Sequence, residues 1–292
     1  MIPYVFMTDS DSDLPFSYVD ELNLSMVYMP YIVDGKEYVD DLGRAGGQKA
    51  YFDSMRAGAS PVTSLLPKDV YLELFEPIFA GGQDLLFVAF SSQLSGTIQN
   101  VYAAREELLE KYPERKMIVV DTLSISVPQS LLVLKAHELY RAGKPMEEVA
   151  QWLEENKLRA QAWFTVDDLK YLRRGGRISA VAAIAGTMLD LKPIITETCE
   201  GKLVSTDKVR GRKSALRLLA EKAAENIEDP ANAMPVIIHA DAPEDAERLK
   251  KLVMEKVPGL PEIQTWYVGP VIGAHCGPGT VAICFLGRKR PN

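Results

Sequence analysis

The chain has 292 residues, enough for one large domain or two domains of ordinary size. Hydrophobic residues make up 47% and charged residues 25%, which is typical of soluble globular proteins and excludes a disordered or collagen-like chain. The net charge of −7 disfavours nucleic acid or an anionic membrane as the main partner.

Apolar strands alternate with amphipathic helices in the N-terminal half. Continuous runs rich in Val, Ile and Phe at residues 4–7, 84–90 and 116–121 predict strands that are buried on both faces of a parallel sheet. Apolar residues at helical spacing predict helices at residues 98–112, 130–142 and 145–156. Strand, helix and strand in this order indicate right-handed crossovers and an α/β fold.

The pattern changes near residue 160, where residues 155–161 predict a polar loop. Extended segments at 192–196 and 202–208 flank a turn at Glu200 and Gly201, which predicts a hairpin. Helices are predicted at 214–226 and 243–256, and strands at 235–240, 263–268 and 281–286. We therefore expect two α/β domains: residues 1–160 with a parallel sheet, and residues 161–292 with a mixed or antiparallel sheet.

Neither a secretory leader nor a membrane span is indicated. The first residues lack a basic segment, and the longest nearly apolar stretch, residues 178–189, has 12 residues against the roughly 20 that a bilayer requires. Cys199, Cys276 and Cys284 lack the spacing of a zinc site, and we expect reduced thiols. These features predict a cytoplasmic protein without a metal site or stable membrane insertion.

The segment TDSDSDLP, residues 8–15, follows the first predicted strand directly. Small hydroxyl and acidic residues at this position commonly border the ligand crevice of an open α/β sheet. Asp9, Asp11 and Asp13 have the spacing of a calcium loop, but the Gly and the distal Glu of such a loop are missing, so calcium is not expected. A helix cap and turn is an equally good interpretation.

Two further segments carry hydroxyl groups beside predicted helices. SSQLSGT, residues 91–97, joins a buried strand to a helix whose first N–H groups attract an anion, and the small residues Ser95 and Gly96 let a carboxylate or phosphate approach. Simple N-capping is compatible with the same role. In TSLLP, residues 63–67, Thr63 and Ser64 precede a proline in a predicted loop.

Basic and glycine-rich segments complete the candidate set. Arg173, Arg174 and Arg177 surround a Gly-Gly pair, and either a solvated face or recognition of phosphate or an acidic partner would explain them. GPVIGAHCGPG, residues 269–279, predicts a shaped loop around His275 that approaches a ligand, although a lone histidine is often structural. A second basic group contains Lys208, Arg210, Arg212, Lys213 and Arg217.

In their order and spacing, these segments resemble the DegV family of bacterial fatty-acid-binding proteins. TDSDSDLP resembles the family's opening motif, TSLLP its threonine-serine loop and SSQLSGTIQN its serine-glycine loop. FTVDDLKYLRRGGRIS, LKPIITETCEGKLVSTDKVRGRKSA and VIGAHCGPGTVAICF resemble its later landmarks. The resemblance runs from residue 4 to about residue 287, and six motifs in the right order make it specific.

The resemblance implies a long-chain fatty acid, such as palmitate, stearate or oleate, bound between two domains without a cofactor and without intrinsic turnover. It also implies a fatty acid kinase that phosphorylates the bound acid for phospholipid synthesis. Burial of the chain at about 0.8 kcal/mol per CH₂ would supply most of the affinity. Residues 178–189 would then line the tunnel, or form an ordinary core helix. The implied roles are carboxylate binding for Thr63, Ser95, Gly96 and His275, proximity to the head group for Ser64 and Arg177, and contact with the kinase for Arg210 and Arg212.

Two departures from the family pattern bear on the pocket. Leu65 and Leu66 stand where the family usually has a Gln, which would alter head-group hydrogen bonds, and residues 127–129 are larger than usual, which would reshape the tunnel.

Two other functions remain open. One is a serine acyl hydrolase or transferase with Ser95 as nucleophile and His275 as base, although the strained elbow of such enzymes is missing. The other is a small-anion sensor, whose affinity would not depend on acyl chain length.

Overall fold

A computed structural model describes residues 3–177 and 190–290. Residues 178–189, proposed above as tunnel lining, lie outside this range. The strands are β1 (Tyr4–Asp9), β2 (Ser25–Val27), β3 (Pro30–Val33), β4 (Lys36–Val39), β5 (Val62–Thr63), β6 (Asp84–Ala89), β7 (Met117–Asp121), β8 (Ala160–Thr165), β9 (Leu191–Glu197), β10 (Leu203–Arg210), β11 (Val236–His239), β12 (Gln264–Tyr267) and β13 (Val281–Leu286). The helices are α1 (Phe16–Leu22), α2 (Gln48–Arg56), α3 (Lys68–Ala80), α4 (Thr97–Lys111), α5 (Val127–Arg141), α6 (Met146–Asn156), α7 (Lys170–Arg174), α8 (Arg212–Asn226), α9 (Pro243–Lys256) and α10 (Pro270–Cys276).

The first sheet is parallel and has the strand order β2-β1-β6-β7. Its strands are short apolar runs because both faces are covered by helices. Side chains of alternate residues point to opposite faces, so Leu85 and Phe87 pack against α3 and α4, whereas Leu86 and Val88 pack towards α5. The strand order reverses at β1, and this places the loops after β1 and β6 side by side at the carboxyl edge of the sheet.

The second sheet is mixed, with the order β10-β9-β8-β13-β11-β12. Only β11 and β12 run parallel, and the remaining neighbours are antiparallel. One face, including Trp163, Ile237 and Ile283, packs against α8 and α9. The opposite face, including Phe164 and Ile238, joins a core that also contains side chains of the first sheet and α5. The predicted α/β fold with one parallel and one mixed sheet is therefore confirmed.

The remaining strands form a small antiparallel sheet, β4-β3-β5, beside the first sheet. Thr63 lies at the end of this sheet, immediately before the loop that enters α3. In the described ranges, no helix combines the length and apolar character needed to cross a membrane.

Two sequence predictions were wrong in detail. Residues 155–161 are not a polar loop: they contain the end of α6, a 3-10 turn and the start of β8, where the amide of Gln161 is buried and satisfied by Arg288 O and Trp163 Nε1. Residues 270–276 are helical, because Pro270 suits the first turn of a helix and Gly273 leaves space for the ring of Phe52. The hairpin at Glu200 and Gly201 is confirmed by the β9–β10 pairing.

Candidate functional site

An apolar cavity lies between the second sheet and the carboxyl edge of the first. The inner face of the second sheet supplies Ala162, Phe164, Ile238, Ala282 and Cys284. The space free of atoms amounts to about 840 Å³, with its open mouth included. The few polar groups around it are therefore candidates for fixing one end of a ligand.

Loops of the first sheet close the opposite side of the cavity. Asp11 follows β1, Phe90 and Leu94 follow β6, and Ile125 and Ser126 follow β7. Three consecutive parallel strands thus direct their following loops at one space, as expected at the carboxyl edge of a parallel sheet. The segment after β1 borders this cavity, in agreement with the ligand-crevice interpretation of residues 8–15.

His275 and Thr63 form the polar centre at one side of the cavity. His275 Nε2 and Thr63 Oγ1 are 2.9 Å apart, although the two residues are 212 positions apart in the sequence. Burial, assisted by the charge of Arg177, lowers the pKa of His275 to about 4, so the imidazole is neutral near pH 7. A Cβ at Gly175 would lie 2.2 Å from His275 Nδ1, so this glycine makes room for the ring.

The loops that contain Thr63 and Ser95 are in contact with each other. Leu65 Cδ1 would lie 3.6 Å from a Cβ at Gly96, and Asn100 Nδ2 of α4 donates to Leu66 O at 2.7 Å. The Ser95 hydroxyl accepts the N–H of Thr97 at 3.2 Å and also lies 2.9 Å from Thr97 Oγ1. The N-cap of α4 is Gly96, without a side-chain cap bond, so Ser95 is not the helix cap that the sequence suggested.

Arg177 lies half-buried between the cavity and the Ser95 loop. Its Nε and one terminal nitrogen donate to Leu94 O at 3.1 and 3.0 Å, and the other terminal nitrogen donates to Gly175 O. These bonds fix the side chain through carbonyl oxygens, which leave its charge uncompensated. Burial lowers the pKa of Arg177, and the neighbouring Asp11 acts in the opposite direction.

Four buried carboxyl groups form a cluster behind the cavity: Asp9, Asp11, Asp13 and Asp40. Loss of hydration is the main cause that raises their pKa values, to about 6 for Asp9, about 8 for Asp13 and about 7 for Asp40, and well above the usual range for Asp11. Asp13 accepts hydrogen bonds from the Ser126 hydroxyl and from Gly269 N at 2.9 Å. Asp11 Oδ1 and Asp40 Oδ2 have no partner among the described residues.

The structure brings Thr63, His275, Arg177, Ser95 and Gly96 into one region of neighbouring loops. Ser64 is exposed beside Thr63. The two arginines expected to face a kinase differ from each other. Arg210 is exposed at the end of β10, whereas Arg212 donates from Nε to Asp245 Oδ2 at 2.7 Å and from a terminal nitrogen to Gly279 O. Arg212 is thus engaged in contacts within the chain.

Several residues of the site were not singled out from the sequence. Asp40 is one, because its approach to Gly269 and Asp13 is a long-range contact without a local motif. Pro128 and Gln129, by contrast, belong to the departures that the sequence did single out: Pro128 lines the cavity, and Gln129 is buried with its amide nitrogen 3.0 Å from Asp9 Oδ1. Ser126 has φ 57° and ψ −136°, a conformation that is rare outside glycine and characteristic of functional loops. Over residues 3–177 and 190–290, no group of three His, Cys, Asp or Glu side chains is arranged to hold a metal ion.

The sheet order and the enclosed apolar cavity define a class of two-sheet α/β proteins with a ligand space between the sheets. The chain belongs to the DegV family: the sequence profile of that family, described as uncharacterised proteins, matches residues 5–288. A DegV domain-containing protein of Clostridium perfringens is 40% identical over 290 residues, which cover 99% of each chain.

Solved structures show the same fold. A DegV family protein from Thermus thermophilus, described by its fatty acid binding, has a TM-score of 0.85 and 29% identity over 98% of this chain and 100% of that one. A fatty-acid-binding DegV family protein from Streptococcus agalactiae has a TM-score of 0.86 and 29% identity over 99% of this chain and 100% of that one. The resemblance inferred from the motifs is confirmed at the level of the family and the fold.

Proposed function

We propose that this protein binds a long-chain fatty acid, with the acyl chain in the apolar cavity and the carboxylate at Thr63, Ser95, Gly96 and His275. The observation that carries the proposal is the pairing of His275 with Thr63 at one side of a cavity whose lining is mostly apolar. Such a cavity suits a molecule with one anionic end. The fatty-acid-binding relatives with the same fold support this choice of ligand.

The hydrogen bonding of His275 supports donation by Thr63 to a carboxylate. His275 Nδ1 is buried without a hydrogen-bond partner among the described residues. Leaving this nitrogen unprotonated, as an unpartnered acceptor, costs less free energy than leaving an N–H donor there without a partner. The proton is therefore assigned to Nε2, which donates to Thr63 Oγ1. The hydroxyl proton of Thr63 is then free to donate to the ligand, and a bond of this kind to a charged group contributes about 1.5–3 kcal/mol.

The same contacts favour binding over acyl hydrolysis. The Ser95 hydroxyl is bonded to Thr97, and His275 is bonded to Thr63. Within the residues that the structure describes, no hydrogen bond joins Ser95 to a base, so the pairing that activates a serine nucleophile is missing from this arrangement. We therefore propose a lipid carrier without intrinsic turnover.

We further propose that the carrier presents its ligand to a fatty acid kinase in the cytoplasm. A second, more polar pocket lies beside Ser95 and Gly96, and its lining includes Arg177 and Lys202. A carboxylate at Ser95 would be reachable from this side by a second protein. Exposed Arg210 remains a candidate for contact with that protein. The ligand would lie between two domains, residues 1–160 and 161–292.

The test is native mass spectrometry of the purified protein, followed by extraction and identification of the lipid. We expect one fatty acid per chain. Thr63→Ala and Ser95→Ala should each weaken binding of added oleate by about 10- to 100-fold, the equivalent of one bond to a charged group. Thr206→Ala, which removes an exposed hydroxyl from β10, is the matched control and should bind like the parent.

An empty protein that takes up neither palmitate nor oleate would overturn the proposal. Affinity that is the same for C₄ and C₁₆ acids would instead favour the small-anion sensor, because a buried chain must add affinity with each methylene.

A further inference from the structure

Asp11 is the one carboxyl group among the described residues that lines the cavity. Its side chain is 3% exposed, and Oδ1 has no hydrogen-bond partner among them. Asp9 and Asp13, by contrast, are bonded to Gln129 and Ser126 respectively. An unpartnered, buried carboxyl beside an apolar cavity is costly, and no structural role in the turn accounts for it.

Arg177 is the cation whose charge acts on Asp11. Three of its five N–H groups donate to Leu94 O and Gly175 O, and no described carboxylate lies within ion-pair distance of it. The other titratable groups that face Asp11 are the acids Asp9, Asp13 and Asp40, together with Tyr71 of α3. His275 lines the same cavity from α10 in its neutral form. Arg177 thus lines the same cavity as Asp11 and also the pocket beside Ser95 and Gly96.

We propose that Asp11 is a specificity-determining residue, whose carboxyl group competes with the ligand's carboxylate for the charge of Arg177, so that an anionic lipid binds together with a proton. The proposal rests on the fatty-acid function proposed above. When Asp11 is ionised, it compensates Arg177 and repels a second anion. When a fatty acid binds, Asp11 takes a proton from solvent, and the ligand's carboxylate becomes the counter-ion of Arg177.

The direction of the pH dependence follows from this competition. A carboxyl group with a raised pKa is neutral at lower pH and ionises as the pH rises through that value. Oleate is fully ionised above pH 7, because simple carboxylic acids have a pKa near 4–5. Affinity for oleate should therefore fall as the pH rises and Asp11 ionises, and proton uptake on binding should rise towards one per ligand.

The experiment is calorimetric titration of the full chain with oleate from pH 7 to pH 10, in two buffers of different ionisation enthalpy. The parent protein should lose about tenfold or more in affinity over this range, and should take up a proton on binding. Asp11→Asn should lose less than about threefold in affinity over the same pH range. It should also take up a correspondingly smaller fraction of a proton on binding. Oleyl alcohol, which carries no charge, should bind independently of pH in both proteins.

Asp34→Asn is the matched control, because it removes an exposed acid from a turn far from the cavity lining. This variant should keep the pH dependence and the proton uptake of the parent. The parent's own proton uptake is an independent measurement and does not depend on how well Asp11→Asn folds.

Oleate binding without proton uptake, or an unchanged pH dependence in Asp11→Asn, would overturn the role of Asp11 while leaving the fatty-acid function intact. A parent protein that binds no oleate at any pH would overturn the fatty-acid function, and this proposal with it.

Discussion

His275 illustrates how a single glycine fixes the position of a functional side chain. Gly175 has ordinary helical backbone angles, φ −71° and ψ −7°, which any residue can adopt. A glycine is therefore needed here because there is no room for a side chain, and not because of the backbone conformation. The space is occupied by the imidazole, whose other nitrogen bonds to Thr63. Gly176, the next residue, has φ 73°, and a Cβ there would meet no described atom within 4 Å. Gly175 is therefore required for packing, whereas Gly176 is required for its backbone conformation.

Gly175→Ala should weaken oleate binding by about tenfold or more, because the new methyl group displaces His275 from Thr63 and removes the hydrogen bond that leaves the Thr63 hydroxyl proton free for the ligand. Gly176→Ala should leave the affinity unchanged and lower the free energy of unfolding by about 1–2 kcal/mol, the cost of a left-handed conformation for alanine. Titration with oleate and denaturant unfolding of both variants distinguish the two effects. Equal affinity in Gly175→Ala and the parent would show that Gly175 does not position the ring.

At the scale of elements, α10 depends on α2 for its position. The Tyr51 hydroxyl donates to Pro270 O at 2.8 Å, and the ring of Phe52 packs against Gly273, where a Cβ would come within 2.9 Å of ring carbons. Phe52 is fully buried. Because α10 contains His275, this contact couples the stability of a short helix to the geometry of the proposed carboxylate site.

Phe52→Ala should lower the free energy of unfolding by about 3–5 kcal/mol, because it leaves a cavity beside α10. Tyr51→Phe keeps the ring and removes only a hydrogen bond, and should cost about 1 kcal/mol. Urea unfolding monitored by circular dichroism measures both. A loss below 1 kcal/mol in Phe52→Ala would contradict the packing of α2 against α10.

At the scale of the whole molecule, a buried ion pair joins the second sheet to the loop after β7. Glu197 of β9 accepts from Ile125 N at 2.9 Å, and Arg290 donates to Leu123 O at 2.7 Å. The nearest nitrogen and oxygen of Glu197 and Arg290 are 3.5 Å apart, and both side chains are inaccessible to solvent. Burial raises the pKa of Glu197 to about 7, against the opposing charge of Arg290.

Arg290→Met should lower the free energy of unfolding by about 3–5 kcal/mol near pH 8, because it leaves Glu197 buried without a counter-charge. The loss should be smaller at pH 5. A carboxyl group whose folded-state pKa is raised contributes stability at low pH, and this contribution is lost as the pH rises through that value. Guanidinium unfolding at both pH values tests this, and Glu197→Gln combined with Arg290→Met should recover most of the loss. The same loss at pH 5 and pH 8 would exclude an unpaired Glu197 as its cause.

The buried strands predicted in the N-terminal half are those that stand out as continuous apolar runs. Leu85, Phe87 and Val88 form a continuous apolar run because both faces of β6 are covered. β4 was missed because all four of its residues are exposed, so no apolar alternation marks it. β8 was missed because it begins in a polar stretch, and Gln161 tolerates burial only through partners that are distant in the sequence.

The site shows the same limit. A strand end followed by small polar residues indicated a ligand near residues 8–15 and 91–97, since this pattern is local. Thr63 and His275, which are in contact, are 212 positions apart in the sequence. The grouping of Asp40 with Asp13 likewise depends on tertiary packing. Neither pair lies within one sequence motif, so motif spacing could not predict them. The resemblance to a family implied that Thr63 and His275 both lie near the ligand's carboxylate, but it did not imply the grouping of Asp40 with Asp13.

The position of β13 determines when the second sheet can form during synthesis. β13 pairs with β8 on one side and with β11 on the other, so the last described strand to leave the ribosome occupies an interior place in the sheet. The first sheet, by contrast, has all four strands by residue 121. β8 and β11 must therefore wait with open edges until residues 281–286 arrive, and unpaired edges are prone to aggregation. One wall of the cavity is consequently incomplete until β13 has been synthesised, and the cavity cannot form in a nascent chain before that point.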